Sequence, residues 1–235
     1  AGRRPVAAFS STTGRIEPDF GGAGRYRLQC HCWVAAAAER GCVNMQRLFL
    51  VRHGPTHAKG MIGWTDLPAD LSDTAAISRL RAYLPDSARV ISSDLIRTIE
   101  TANAIQGDRT RLDHDRNLRE MHFGDWENRT FKEVAAKEPE RIRAFYEQPG
   151  DIAPPNGESW HALHARVSPN IDAHLAASES DLVVVCHFGV VLSQLQRATG
   201  LKNYETFAQR IDNLSVTEVI VDNEGWRAGV INHRP

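Results

Sequence analysis

The chain has 235 residues, 28 basic against 29 acidic side chains, and an apolar content of 42%. That balance excludes the broad basic face of a sequence-independent nucleic-acid binder, and 8 Phe, 5 Trp and 4 Tyr exclude a disordered chain. The longest apolar runs, Trp33 to Ala38 and Leu182 to Cys186, fall far short of the ~20 residues that a bilayer demands.

The first 44 residues differ from the rest. They hold six of the 17 glycines and six arginines against Glu17, Asp19 and Glu39. They show no sustained period of 2 or 3.6, so residues 1–44 are expected to be an arm outside the core: a leader, an extended gene model or a poorly ordered segment. Met45 stands just before a clear strand pattern and is expected to start a folded domain over 45–235. A secretory signal does not fit, because the short apolar run comes late and follows two acids. Cys30, His31, Cys32 and Cys42 match no zinc-site spacing. Nothing demands an oxidising compartment, and a cytoplasmic location is expected.

From Met45 the pattern alternates. Leu48 to Val51 is a continuous apolar run, as in a strand buried on both faces. Leu71-Ser72-Asp73 opens a helix to about Tyr83, which Pro85 stops. Val90-Ile91 is a second strand, and Ser93 or Asp94 is expected to cap a helix carrying Leu95, Ile99, Ala102 and Ile105. Thr130 to Tyr146 and Ser159 to Ala177 read as two further helices, the second able to kink or split at Pro169. Leu182 to Cys186 is the strongest strand, with Cys186 a small buried residue at its end. Val190 to Thr199 is a helix ended by Gly200, and Val216 to Val221 with Trp226 to Ile231 forms a hairpin. Such alternation predicts an α/β fold: a three-layer sandwich whose mainly parallel central sheet is flanked by helices.

Chemistry gathers at the strand ends. Leu50-Val51-Arg52-His53-Gly54, Ile91-Ser92-Ser93-Asp94-Leu95-Ile96-Arg97 and Val184-Val185-Cys186-His187-Phe188-Gly189 each run from an apolar strand into a basic or imidazole residue. Open α/β sheets bind ligands beyond the carboxyl ends of their strands. Parallel strands would therefore bring Arg52, His53, Arg97 and His187 to one edge. Two guanidiniums and two imidazoles at one point suit a doubly charged oxyanion, above all phosphate. Taken singly, each is an ordinary polar residue at a loop or helix start; equivalent placement at three strand ends favours a shared site.

Five stretches together carry a resemblance: L-F-L-V-R-H-G-P-T at 48–56, S-S-D-L-I-R-T-I-E-T-A at 92–102, L-R-E-M-H-F-G-D-W-E at 118–127, P-N-G-E-S at 155–159 and V-V-C-H-F-G at 184–189. In this order they resemble the histidine phosphatase superfamily, the clan that includes cofactor-dependent phosphoglycerate mutase and many small-molecule phosphatases. The resemblance implies that His53 is the nucleophile that becomes a phosphohistidine. It implies that Arg52 and Arg97 grip the phosphoryl oxygens and that His187 adds a donor. Glu120 would protonate the leaving oxygen and then activate water. His53, His187 and Glu120 could instead hold zinc, but two adjacent arginines would repel a cation, so no metal and no cofactor are expected.

The sequence also departs from the family's pattern. Position 55 is Pro where Glu or Gln is common, Lys59 stands where an Asn usually helps to hold phosphate, and Phe188 replaces a frequent Gly. Thr56, Lys59, Trp64, His122 and Phe188 are the expected substrate-side residues. Glu120 and His187 stand only 67 positions apart, shorter than the covering segment of the mutases. That favours an open pocket and hydrolysis of a small-molecule phosphate ester over mutase-type transfer. The compact loop resembles the branch containing α-ribazole phosphatase. A non-catalytic phospho-ligand binding module is disfavoured because all five core residues are present. No nucleic-acid or membrane partner is expected, and a homodimer is compatible.

Overall fold

The computed structural model describes residues 45–235. The expectations for the arm, and for Cys30, His31, Cys32 and Cys42, lie outside the described residues. Among the described residues no helix is long and apolar enough to cross a membrane.

Among the described residues five strands form one mixed sheet in the order β2-β3-β1-β4-β5, with β1 at Gln46–Arg52, β2 at Arg89–Ser92, β3 at Leu182–Cys186, β4 at Val216–Asp222 and β5 at Gly225–Ala228. β1 pairs in parallel with β3, and β3 with β2; β4 alone runs against the others. Leu48 to Val51 and the whole of β3 are buried because both strands have a neighbour on each side and helices on each face. Alternate residues face opposite ways along a strand. Leu48, Leu50, Val184 and Cys186 therefore pack in one core with Leu163, Val167 and Ile171 of α5 (Trp160–Ala176) and Val190 and Val191 of α6 (Phe188–Thr199). Phe49, Val51, Val183 and Val185 pack on the other face with Leu80 of α1 (Thr74–Tyr83) and with Ala102 and Ile105 of α2 (Ile96–Ile105). Burying each large aliphatic side chain contributes about 1.5–3 kcal/mol relative to leaving it in water. The result is the expected three-layer α/β sandwich.

Several expected boundaries move, each for a visible reason. The helix over Thr130 to Tyr146 is two helices, α3 (Phe131–Ala135) and α4 (Pro139–Glu147). Pro139 cannot continue α3 but is well placed at the first position of α4. α2 is capped by neither Ser93 nor Asp94. Asp94 is held by the Arg119 guanidinium and the Ser93 hydroxyl lies against His187, so the N–H of Ile96 donates instead to the Asp66 carboxylate, at 2.7 Å. α5 runs unbroken through Pro169, with Ser159 accepting from the N–H of Ala162 at its start. α6 begins at Phe188, directly after His187, and ends at Gly200, whose φ of 68° suits a residue without a side chain. β5 stops at Ala228, and a short helix, α7 (Asn203–Phe207), follows α6 without a periodic signal in the sequence.

Candidate active site

Strand register builds the centre of the site. Arg52 lies opposite Cys186 across the β1–β3 pairing. Each is followed directly by a histidine, so the rings of His53 and His187 come within 5.2 Å, edge to face. Both are buried. The His53 N–H donates to the Cys186 carbonyl (3.0 Å), and Asn213 Nδ2 donates to the His53 carbonyl (2.8 Å). The backbone is thus fixed from both sides.

The His53 tautomer follows from its partner. Nδ1 lies 2.7 Å from the Gly54 carbonyl, which can only accept, so Nδ1 carries the hydrogen and Nε2 keeps its lone pair. Burial, with the charges of Arg97 and Arg52, pulls the imidazole pKa down to about 3, against a partial upward effect of the Gly54 hydrogen bond. His53 is neutral in ordinary buffers. Burial first, and then Arg97 and the neighbouring His53, also push His187 well below the usual histidine range. Its Nε2 is 2.7 Å from Ser93 Oγ.

The two arginines are anchored by backbone carbonyls and keep other donors in hand. Arg97, buried in the first turn of α2, donates to the carbonyls of Thr65 (2.9 Å) and Gly63 (2.6 Å). Arg52 donates from Nη1 to the carbonyl of Ile211 (2.6 Å). Buried donors without an acceptor cost about 1–3 kcal/mol each. Among the described residues five buried side-chain nitrogens have no partner, and three of them are Arg52 Nε, Arg97 Nε and His187 Nδ1. Their concentration around the two imidazoles marks groups held ready for an anionic acceptor.

Glu120 completes the group. Its Oε1 accepts from the N–H of Met121 (2.9 Å) and of Gly189 (3.0 Å), whereas Oε2 accepts only the longer Gly189 contact, at 3.2 Å. Burial raises its pKa; the hydrogen bonds from Met121 and Gly189 and the charges of Arg97 and Arg52 offset this only in part. A carboxyl whose pKa burial raises, beside two guanidiniums, is suited to proton donation, and Oε2 is the less committed oxygen. Gly189 is what lets it sit there. A Cβ on Gly189 would fall 2.5 Å from Glu120 Oε1 and 3.1 Å from Leu163 Cδ2. We expect Gly189→Ala to displace the carboxyl and lower kcat by about 100-fold, the scale of an ångström-sized misplacement, for esters with poor leaving groups. A nitrophenyl ester, which leaves without help, should lose far less; equal losses would place the damage elsewhere than at Glu120.

The structure thus brings Arg52, His53, Arg97, Glu120 and His187 to one place. It spreads the expected substrate-side residues more widely. Phe188 lies against the Arg52 guanidinium (5.4 Å) and lines a cavity that begins at Glu120. Trp64 acts as a brace: its indole N–H donates to the Glu120 carbonyl (2.8 Å), and its ring lies among the guanidiniums of Arg116, Arg119 and Arg166. His122 packs on Trp64, ring to ring at 4.5 Å. Thr56 is half-buried and Lys59 exposed on the loop after β1, and neither lines that cavity. Among the described residues no group of three or more His, Cys, Asp or Glu side chains is placed to hold a metal ion.

Two positioning residues had no expected role in the site. Ser93, which follows β2, meets both His187 and Thr98 through its hydroxyl. Glu127 accepts from the N–H groups of Gly63, Trp64 and Phe123 and from the Thr65 hydroxyl. Burial works against its charge, but those bonds outweigh it and hold its pKa below the usual range. Glu127 therefore shapes the loop whose carbonyls hold Arg97. Both residues stand inside the motif stretches, but His187 and Trp64 lie 94 and 63 positions from them, at distances no local pattern encodes.

Comparison with known proteins places the chain beside the following relatives. The model of the histidine phosphatase superfamily (branch 1) matches residues 48–234. A glucosyl-3-phosphoglycerate phosphatase of Mycolicibacterium vanbaalenii is 32% identical over 174 residues, covering 68% of this chain and 76% of that one. Phosphoglycerate mutase-like protein 4 of Arabidopsis thaliana is 30% identical over 201 residues, covering 78% and 84%. The crystal structure of the α-ribazole phosphatase from Shigella flexneri superposes with a TM-score of 0.69 at 27% identity, covering 80% of this chain and 97% of that one.

Proposed function

The chain belongs to the histidine phosphatase superfamily, and from that premise we propose that it hydrolyses a small phosphate monoester through a phosphohistidine on His53, without a metal. The observation that carries this reading is a buried, neutral His53 whose Nδ1–H is tied to the Gly54 carbonyl, beside the unpartnered nitrogens of Arg52, Arg97 and His187.

In the first step the Nε2 lone pair of His53 attacks phosphorus, and the P–O bond to the leaving group breaks. The leaving oxygen takes the proton of Glu120 and departs as an alcohol. In the second step Glu120, now a carboxylate, accepts a proton from water. The hydroxide attacks phosphorus, the N–P bond breaks, and inorganic phosphate leaves with His53 restored. Phosphoryl transfer asks chiefly for positioning and charge stabilisation. At about 4 Å and an effective dielectric of about 20, each charge pair with a guanidinium is worth about 4 kcal/mol before desolvation. Two arginines supply the positive field for the three equatorial oxygens, and neutral His187 adds a polar nitrogen beside them. The same field steadies the phosphohistidine between the two steps.

The pH dependence follows from the two shifted groups. His53 must be unprotonated, so its limb of kcat/KM rises with pH through about 3. Glu120 must be protonated, so its limb falls as pH rises through a pKa above the ordinary carboxyl value. We expect an optimum on the acid side, and Glu120→Gln should remove the falling limb. A kcat/KM that climbs steadily towards alkaline pH would contradict the assignment. Interconversion of phosphoglycerates faster than hydrolysis, in one coupled assay, would instead favour a mutase.

A further inference from the structure

We propose that the leaving group this site accepts is apolar: an aryl or medium-chain alkyl alcohol rather than a sugar acid. The inference rests on Glu120 acting as the acid of a phosphatase. A general acid must lie within hydrogen-bond reach of the leaving oxygen. What is attached to that oxygen therefore extends into the space beside Glu120.

That space is a cavity of about 390 Å³ that starts at Glu120 and Gly189. It is large enough for a single ring or a short chain. Its walls are largely aromatic, with Phe123, Phe145, Tyr146, Phe188, Tyr204 and Phe207 among them. Apart from Glu120, no charged side chain lines it. The walls are braced: Phe145 meets Tyr146 edge to face at 5.0 Å, and Phe207 meets Trp160 at 4.8 Å. Tyr204, 62% exposed, stands at the rim.

A carboxylate placed there would lose water and meet no cation on the walls, and sugar hydroxyls would find few side-chain partners beyond the Tyr146 and Tyr204 hydroxyls and Glu120 itself. Arg52, over Phe188, belongs to the proposed phosphoryl site, and the other nearby cations are engaged elsewhere. Arg119 is paired with Asp94 and Arg166 with Glu158, and both lie against Trp64 outside the cavity walls. An apolar group meets no such penalty against these aromatic walls.

The test is a homologous series of primary alkyl phosphates from ethyl to hexyl, whose leaving groups differ little in acidity, with 3-phosphoglycerate alongside. We expect kcat/KM to rise by about fourfold per methylene, the equivalent of ~0.8 kcal/mol per buried CH₂, and to be lowest for 3-phosphoglycerate. Binding of the matching alkylphosphonates, which cannot be hydrolysed, should strengthen along the same series. Tyr204→Ser changes a rim residue that folding does not depend on, and it should lower the hexyl-to-ethyl ratio severalfold. A flat series in turnover and in binding, or a preference for 3-phosphoglycerate, would overturn the inference while leaving the phosphatase reading intact. Phosphonates that bind with the expected slope in a protein that hydrolyses none of the esters would overturn the phosphatase reading and leave the apolar pocket standing.

Discussion

His53→Ala should lower kcat by at least ~10⁴-fold, because a displaced nucleophile leaves only the binding and charge terms of the site. The substitution removes the one side chain whose lone pair is fixed by geometry: Nδ1 is committed to the Gly54 carbonyl, so Nε2 alone can attack. The fold should survive. The His53 backbone contacts to Cys186 and Asn213 do not use the side chain, and the ring lies at the end of β1 rather than inside either core. Inorganic phosphate should still bind, since Arg52, Arg97 and His187 keep their donors. Added imidazole should restore part of the activity by entering the space the ring vacates. A His53→Ala protein that turns over at the wild-type rate, or one that imidazole inhibits, would point to a different nucleophile.

Glu120→Gln should separate substrates by leaving group. For alkyl esters, whose alkoxides are poor leaving groups, general acid catalysis is worth about 10²–10⁴-fold and should be lost. For a nitrophenyl ester the loss of kcat should stay below about tenfold, because that leaving group needs no proton. The amide can keep the bonds from Met121 and Gly189 through its oxygen, so the backbone around α6 is undisturbed. Measuring kcat for both ester classes on one preparation of the variant decides the matter. Equal losses on the two would remove Glu120 as the acid and assign it to packing.

What was legible in the sequence was what register and local pattern encode. Leu48 to Val51 and Leu182 to Cys186 are continuous apolar runs because both strands lie inside the sheet, and their parallel pairing carries His53 and His187 to the same edge. The positions of Arg52, Arg97 and Glu120 followed from motifs next to strand ends and from the family resemblance. What was not legible depends on distant partners. The sequence around Ser93 looks like a helix cap, yet its hydroxyl is claimed by His187, just beyond β3. Trp64 looks like a substrate contact, yet its indole N–H is spent on the Glu120 carbonyl and its faces on arginines. The aromatic cavity draws Phe123, Tyr146, Phe188 and Tyr204 from four separate segments, so no window of sequence shows it.

The most direct measurement is rapid-quench trapping of the enzyme during turnover of a phosphate ester, followed by mass mapping of the phosphorylated peptide. The account predicts one phosphoryl group per chain, on His53, labile in acid and stable in base. Phosphate found on any other residue, or turnover that proceeds with no phosphorylated protein at any quench time while a burst of alcohol is released, would contradict it.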